Sequence, residues 1–366
     1  MRFAFLTELY PPHVGGQEVF FQQLAEAMVG RGHSVDVYCV GHDTGLDPDV
    51  TVNGVHIRRH PLTNRYVNPP IPALRRNWPA IGRYSAWVRR HVVRQHYDFH
   101  LLNQWPLLHV PAMPRNMRTR TGIHWCEIRD DQIVGQAQKR LPRMVGSNFA
   151  VSTAVAKAIT EQSGCRCSVL PSGIVVMGYR PAERSERAGA LYVGRLWPHK
   201  NLPLLIDAFA LTAARGFAGD LVIAGDGSAR ADIEEHARRS PVASRVRVLG
   251  SVTEEQKIEL LSRAAVLGMP SRREGFPRVI SEAMASGLPV VTANFPENGA
   301  KEVVAQYGVG VVCGTEPADF ADGLLTAEAQ WDVFSRAGLA GAQSLDWSGI
   351  AHTLETRAEE GQSACG

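Results

Sequence analysis

No stretch of the sequence approaches the roughly 18 consecutive apolar residues that a membrane-spanning helix requires. The apolar run Phe3-Ala4-Phe5-Leu6 behind Met1-Arg2 is too short for the core of a secretory leader, so a cytoplasmic location is expected. Cysteine is sparse. The six thiols stand at positions 39, 126, 165, 167, 313 and 365, and only Cys165 and Cys167 are close together. No second pair completes a zinc set, so these read as reduced, structural thiols and no bound metal is expected. The first glycine-bearing turn lacks G-x-G-x-x-G, which removes the dinucleotide fingerprint. Lysine is rare, five against 34 arginines, a coding bias that says nothing of substrate.

What is present is an ordinary soluble composition. With 366 residues and 45% apolar content, two domains with sizeable cores are expected. The net charge is only +3 but uneven: residues 65–143 carry fourteen Lys plus Arg against Asp98, Glu127, Asp130 and Asp131. Such a segment serves as a solvated face, an anionic-membrane patch or a nucleic-acid surface. No nucleic-acid recognition motif accompanies it, so no nucleic-acid partner is expected.

Periodicity gives the organisation. Arg2–Thr7 reads as a strand, Gln17–Arg31 as a helix with Phe20, Phe21, Leu24, Ala25 and Met28 inward, and Val35–Val40 as the next strand. Between the first strand and its helix lies Pro11-Pro12-His13-Val14-Gly15-Gly16, where two glycines let backbone approach a ligand at a helix N-terminus. A second series follows the Pro/Gly/Arg-rich stretch 171–189. Strands are expected at 190–194, 221–224, 246–249 and 265–269, and helices at 202–214 and 229–239. Thr253-Glu254-Glu255-Gln256 reads as a capping box opening a further helix. Strands alternating with helices in two series imply two parallel α/β domains, with ligands outside the carboxyl ends of the strands. The expected division is 1–173, a linker 174–189, 190–345, and 346–366 as a terminal helix and polar tail.

The chemistry concentrates in two loops. Gly194-Arg195-Leu196-Trp197-Pro198-His199-Lys200-Asn201 follows a strand. Its Arg195 offers a planar fork to phosphate oxygens and its Lys200 a mobile point charge. Together they can neutralise a diphosphate without a metal, and no loop at this site carries Asp-x-Asp. The other loop, with the helix after it, holds Glu274-Gly275-Phe276-Pro277 and then Glu282. Pro277 reads as the first helical residue. A helix N-terminus attracts phosphate, whereas a carboxylate nearby prefers hydroxyl donors. A ligand with phosphates and many hydroxyls, such as a nucleotide sugar, satisfies both. His124 closes another expected strand and reads either as a contact to sugar or acceptor or as bonded to its own neighbours.

These motifs resemble the family 4 glycosyltransferases. The resemblance rests on Pro11-Pro12-His13-Val14-Gly15-Gly16-Gln17-Glu18, Arg31-Gly32-His33-Ser34-Val35, Val193-Gly194-Arg195-Leu196 with Lys200-Asn201, Ala224-Gly225-Asp226-Gly227, and the E-x7-E segment from Glu274 through Glu282-Ala283-Met284-Ala285. It implies the GT-B fold, two Rossmann-like parallel-sheet domains facing a cleft. The implied reaction is retaining, metal-independent transfer of a hexose-type sugar from a nucleotide diphosphate donor to a small hydroxylated acceptor. UDP is the default nucleotide by family frequency, and no cofactor beyond the donor is implied. Arg195 and Lys200 would hold the diphosphate, and Glu274, with Gly275, Phe276 and Pro277, the donor sugar and phosphates. Glu282 would hold the ribose, Gly15 and Gly16 would close over the phosphates, and His124 would sit by sugar and acceptor. Many members have Gly where Pro277 stands, and many continue after the motif with Gly-Gly and a Glu, where this chain has Pro296-Glu297-Asn298-Gly299-Ala300-Lys301-Glu302. The alternatives are an epimerase or hydrolase on a nucleotide sugar, a non-catalytic binding module, and transfer from a GDP-sugar to a membrane lipid.

The acceptor is addressed only by the basic segment. Trp78–Gln95 reads as a helix with Ile81, Tyr84, Val88 and Val92 on one face, surrounded by Arg75, Arg76, Arg83, Arg89, Arg90 and Arg94. A face sized for a sheet rather than for lipid points to membrane contact that is at most transient.

Overall fold

The computed structural model describes residues 1–13, 15–61, 77–128 and 134–363. Its contacts divide the chain into two compact units, Met1–Gly173 with Trp347–Gly366, and Ile174–Asp346.

The first unit holds strands β1 (Arg2–Leu6), β2 (Ser34–Gly41), β3 (Asp49–Val52), β4 (Val55–Pro61), β5 (Phe99–Asn103), β6 (Thr121–Trp125), β7 (Ser147–Ala150) and β8 (Ser168–Val169). Its helices are α1 (Gly16–Gly30), α2 (Trp78–Val92), α3 (His109–Ala112), α4 (Val134–Arg140) and α5 (Thr153–Ser163). The strands lie in the order β3-β4-β2-β1-β5-β6-β7-β8, with only β3 antiparallel to its neighbour. Phe3 to Leu6 are all fully buried, as befits a parallel strand covered on both faces. The helix α1 buries the five residues expected of it, Phe20, Phe21, Leu24, Ala25 and Met28.

Residues 62–76, with Arg65, Arg75 and Arg76, lie outside the described residues, as do 129–133 with Asp130 and Asp131. The helix α2 stops at Val92, short of the expected Gln95, and Asn77 caps its start by accepting from the Ala80 N–H at 3.2 Å. Ile81, Tyr84, Val88 and Val92 are buried, while Arg83, Arg89, Arg90 and Arg94 are exposed.

The second unit holds β9 (Ala190–Val193), β10 (Leu221–Ala224), β11 (Val246–Gly250), β12 (Val266–Met269), β13 (Arg273–Glu274), β14 (Val290–Ala293), β15 (Glu297–Asn298) and β16 (Gly310–Cys313). The helices are α6 (Leu202–Ala214), α7 (Arg230–Arg239), α8 (Glu254–Arg263), α9 (Arg278–Ala285), α10 (Ala300–Tyr307), α11 (Pro317–Ala329) and α12 (Trp331–Ser344). Six strands form an all-parallel sheet in the order β11-β10-β9-β12-β14-β16, and β13 pairs with β15 as a small separate sheet. The capping box is present: Thr253 Oγ1 accepts from the Gln256 N–H at 3.3 Å and Gln256 Oε1 from the Thr253 N–H at 2.9 Å.

The segment 174–189, expected as a linker, is built into this second unit. Ile174 and Arg187 are buried. The Arg187 guanidinium donates to the carbonyls of Ala182, Leu261, Ala264 and Ser286, a tie that a free linker would not make. The chain enters and leaves the unit side by side, through a parallel bridge between Ile174 and Asp346. The last helix, α13 (Trp347–Ser363), belongs to the first unit. It buries Trp347, Ile350, Ala351, Leu354 and Ala358 in the same core as Phe20 and Phe21, and its Glu355 pairs with Arg31 and His33. The polar tail expected from Glu359 is thus helical as far as Ser363, because α1 offers that stripe a surface to cover. Among the described residues no helix is long and apolar enough to cross a membrane.

Candidate functional site

The strand order of the second unit locates the site. From β9 the sheet grows outward through β10 and β11 on one side and through β12, β14 and β16 on the other. Such a reversal leaves a crevice at the carboxyl ends of the two central strands, where open α/β sheets bind ligands. The loops leaving β9 and β12 are the ones that carry Arg195, Lys200 and Glu274.

Several contacts hold these loops in register. Gly225, at φ +145°, lies so close to the β9 loop that a Cβ would fall 1.8 Å from the Gly194 carbonyl oxygen. Pro198–Lys200 makes one tight turn, ended by Asn201 in the left-handed region at φ +57°. The Arg272 N–H then donates to the His199 carbonyl at 2.8 Å and so joins the two loops. On the far side, Glu274 pairs with Asn298 across the small sheet, and the Gly299 N–H donates to the Glu274 carbonyl at 2.9 Å. Asn298 is fully buried. It donates to Thr292 Oγ1 at 2.9 Å and to the Ala293 carbonyl at 2.7 Å, and accepts from the Ala300 N–H at 3.2 Å. A Cβ at Gly299 would lie 2.3 Å from the Gly275 carbonyl oxygen. Asn298-Gly299 therefore works as a brace under Glu274.

Within this frame Lys200 Nζ meets Glu274 Oε1 at 2.6 Å, and Ser271 Oγ donates to the same oxygen at 2.7 Å. The two charged side chains are only 13% and 9% exposed. Arg195 is exposed, and its guanidinium stacks 4.9 Å over the Trp197 ring. Phe276 packs against the core that contains α9. Pro277 is not the first helical residue as expected. With φ −75° and ψ 112° it is the extended N-cap of α9, because the chain is still leaving the β13 turn. Glu282, one helical stretch on, is 7% exposed, and its Oε1 lies 2.8 Å from Lys257 Nζ.

The first-unit residues form a separate group. Gly15 is the N-cap of α1 in extended backbone, and a Cβ there would meet Glu18 Oε2 at 2.2 Å. Gly16 faces open space. Both follow β1, whose neighbours β2 and β5 mark the corresponding reversal in that sheet. His124 departs from the expectation that it meets sugar or acceptor. Its ring is fully buried, stacked 4.1 Å from the Phe20 ring, with Nε2 2.9 Å from the Leu170 carbonyl oxygen. Burial pushes its pKa down to about 4, against the opposing pull of that carbonyl, so it is neutral at physiological pH. The reading of His124 as bonded to its own surroundings is the one its position supports.

Sequence reasoning missed Lys257, Ser271 and Asn298. Ser271 was in plain view three residues before Glu274. The other two act on partners in different βα units, and no local pattern announces such pairings. Among the described residues, no group of three or more His, Cys, Asp or Glu side chains gathers as a metal site.

Comparison with known proteins gives the family and the fold. Residues 14–176 match the family described as Glycosyltransferase Family 4, and residues 180–340 the family described as Glycosyl transferases group 1. The phosphatidylinositol N-acetylglucosaminyltransferase gpi3 subunit of Schizosaccharomyces pombe is 24% identical over 82% of this chain and 67% of its own. The sucrose-phosphate synthase of Thermosynechococcus elongatus superposes with a TM-score of 0.79 at 19% identity, covering 99% of each chain. HepE of Anabaena, solved with UDP and glucose, superposes with a TM-score of 0.71 at 20% identity, covering 98% of this chain and 100% of its own. The two matched families tile most of the sequence, the neighbours share its architecture, and the chain belongs to the family 4 glycosyltransferases, with the GT-B fold.

Proposed function

We propose that this glycosyltransferase moves a hexose-type sugar from a nucleoside diphosphate donor, with UDP as the nucleotide, to a hydroxyl of a small acceptor. Transfer proceeds with retention at the anomeric carbon and without a bound metal, in the cytoplasm. The observation that carries this reading is the Lys200–Glu274–Ser271 cluster at the sheet's reversal point, with Arg195 exposed on the same loop. Negative charge develops on the departing diphosphate, and fixed cations that meet it there lower the barrier without reorganising. Arg195 and Lys200 supply them, and Glu274 and Glu282 accept from the hydroxyls of the sugar and the ribose. The UDP and glucose in HepE, a protein of this fold, support the choice of nucleotide.

The test is thermal shift against UDP, GDP, ADP and TDP, followed by transfer assays with the matching donor sugars and NMR assignment of the product anomer. A nucleotide at about a hundred times its dissociation constant stabilises by roughly 2.7 kcal/mol. No shift with any of the four, or an inverted product, refutes the reading. A second reading, a lipid-borne acceptor, is favoured by the exposed arginines of α2 and by the phosphatidylinositol named for the gpi3 relative.

A further inference from the structure

Glu282 is a carboxylate on a helix whose neighbouring residues, Ile280, Ser281, Ala283, Met284 and Ala285, are all buried. An ion with so little access to water needs a partner. That partner comes from another βα unit: Lys257 Nζ lies 2.8 Å from Glu282 Oε1 and 2.8 Å from Glu254 Oε1. The three side chains differ sharply in exposure, 10% for Glu282, 16% for Lys257 and 62% for Glu254. The capping box fixes the first turn of α8, and the Lys257 N–H donates to the Thr253 carbonyl at 2.9 Å, so the ammonium is delivered from a rigid base.

We infer that Lys257 is a positioning residue for Glu282, and that through this pair the site selects a nucleotide whose pentose carries both hydroxyls over its 2′-deoxy counterpart. The inference rests on the proposed role of Glu282 as acceptor for the ribose. The one ammonium is shared between two carboxylates, so Glu282 keeps acceptor capacity for hydroxyl donors. Tyr179 lies beside the same groups. Burial, and then the charges of Glu282 and Glu254, raise its pKa against the opposing effect of Arg278, so its phenol stays protonated. With Oε1 held by Lys257, the carboxylate cannot swing, and a vicinal diol can meet it in one geometry. A deoxypentose brings one donor too few and leaves a poorly hydrated carboxylate unpaired, the kind of loss that discriminates strongly. Donors built on thymidine diphosphate are therefore disfavoured by the same factor, whatever sugar they carry.

The experiment is calorimetric titration of UDP and 2′-deoxy-UDP into the wild type, Lys257→Met, Lys257→Arg, Glu254→Gln and Glu282→Gln. If GDP or ADP is the nucleotide that stabilises the protein, its own ribo and 2′-deoxy pair replaces these. The wild type should prefer the ribonucleotide by about tenfold to a hundredfold, the cost of one lost hydrogen bond to a charged group. Lys257→Met and Glu282→Gln should bring the ratio near unity, while Lys257→Arg and Glu254→Gln should keep it, since both retain a cation on Glu282. A Lys257→Met protein that binds both nucleotides more weakly but keeps the wild-type ratio reduces Lys257 to a structural ion pair and overturns the inference. Should Lys257→Met fail to fold, loss of the ratio in Lys257→Arg or Glu254→Gln overturns it instead. A Glu282→Gln protein with the wild-type ratio refutes the ribose role of Glu282 itself, which separates failure of the proposed function from failure of the role given to Lys257.

Discussion

Lys200 and Glu274, far apart in sequence, form a direct ion pair at 2.6 Å with Ser271 bonded to the same carboxylate oxygen. The sequence reading gives them separate tasks, a cation for phosphate and a carboxylate for sugar hydroxyls. The structure shows each satisfying the other. Under the proposed function, donor binding is expected to exchange partners, the ammonium turning to the diphosphate while the carboxylate takes hydroxyl donors.

This exchange makes the pair's two roles separable by experiment. Lys200→Met should destabilise the protein by about 1–3 kcal/mol, because a poorly hydrated Glu274 loses its countercharge. Glu274→Gln should cut turnover far more than nucleotide affinity. In the double variant the stability losses should be less than additive, since both report one interaction. Urea melts with kinetics on all three proteins check this, and full additivity would argue against a shared role.

The brace under Glu274 is the next target. Asn298→Ala removes three hydrogen bonds from a fully buried side chain and should cost about 1–3 kcal/mol of stability. It should also lower turnover, because the backbone carrying Glu274 loses its anchor on β14. Turnover at the wild-type level, in a variant that is measurably less stable, would separate the brace from catalysis.

Three buried histidines of the first unit set a pH dependence. His100, His109 and His124 are each pushed down to about 4, in every case mainly by burial. The unfolded chain titrates them near 6.5, so it binds more protons than the native state between those values. Their contribution is thus fully present above about pH 6.5 and is lost as pH falls toward 4, at up to about 3 kcal/mol for each group. Urea midpoints followed from pH 7.5 to 4.5 should fall accordingly. His124→Leu should flatten that slope, and an unchanged slope would show that His124 is not neutral in the native state.

If Arg195 and Lys200 supply the positive charge at the diphosphate, as proposed, transfer should survive excess chelator. A strict requirement for Mg²⁺ or Mn²⁺ in a donor-consumption assay would refute that assignment.

Anionic vesicles should bind the protein at low salt and release it at about 0.15 M, where charges beyond about 8 Å are screened. The arginines to replace are Arg83, Arg90 and Arg94, all exposed on or just beyond α2. Trp87 is unsuitable as a probe of lipid contact, since its ring packs against Tyr38, His60 and Tyr84. Salt-resistant binding that is lost in the triple Gln variant would instead favour the lipid-borne acceptor.

By itself the sequence determined the alternation of strands and helices, the bounds of α6 and β10, the capping box of α8 and the two loops that bear charge. All of these are written within a helical turn or two of chain, where periodicity, caps and turn residues act. Only the tertiary structure decided which groups meet. The reversal of strand order at β9 and β12 places Lys200 against Glu274, 74 residues apart, and Lys257 against Glu282, 25 apart. Packing within the first unit put His124, a polar residue near a strand end, under the aromatic rings of α1, and extended the last helix along the same core. Pairings of that kind depend on how crossovers order the strands, and hydrophobic period along a chain carries no record of that order.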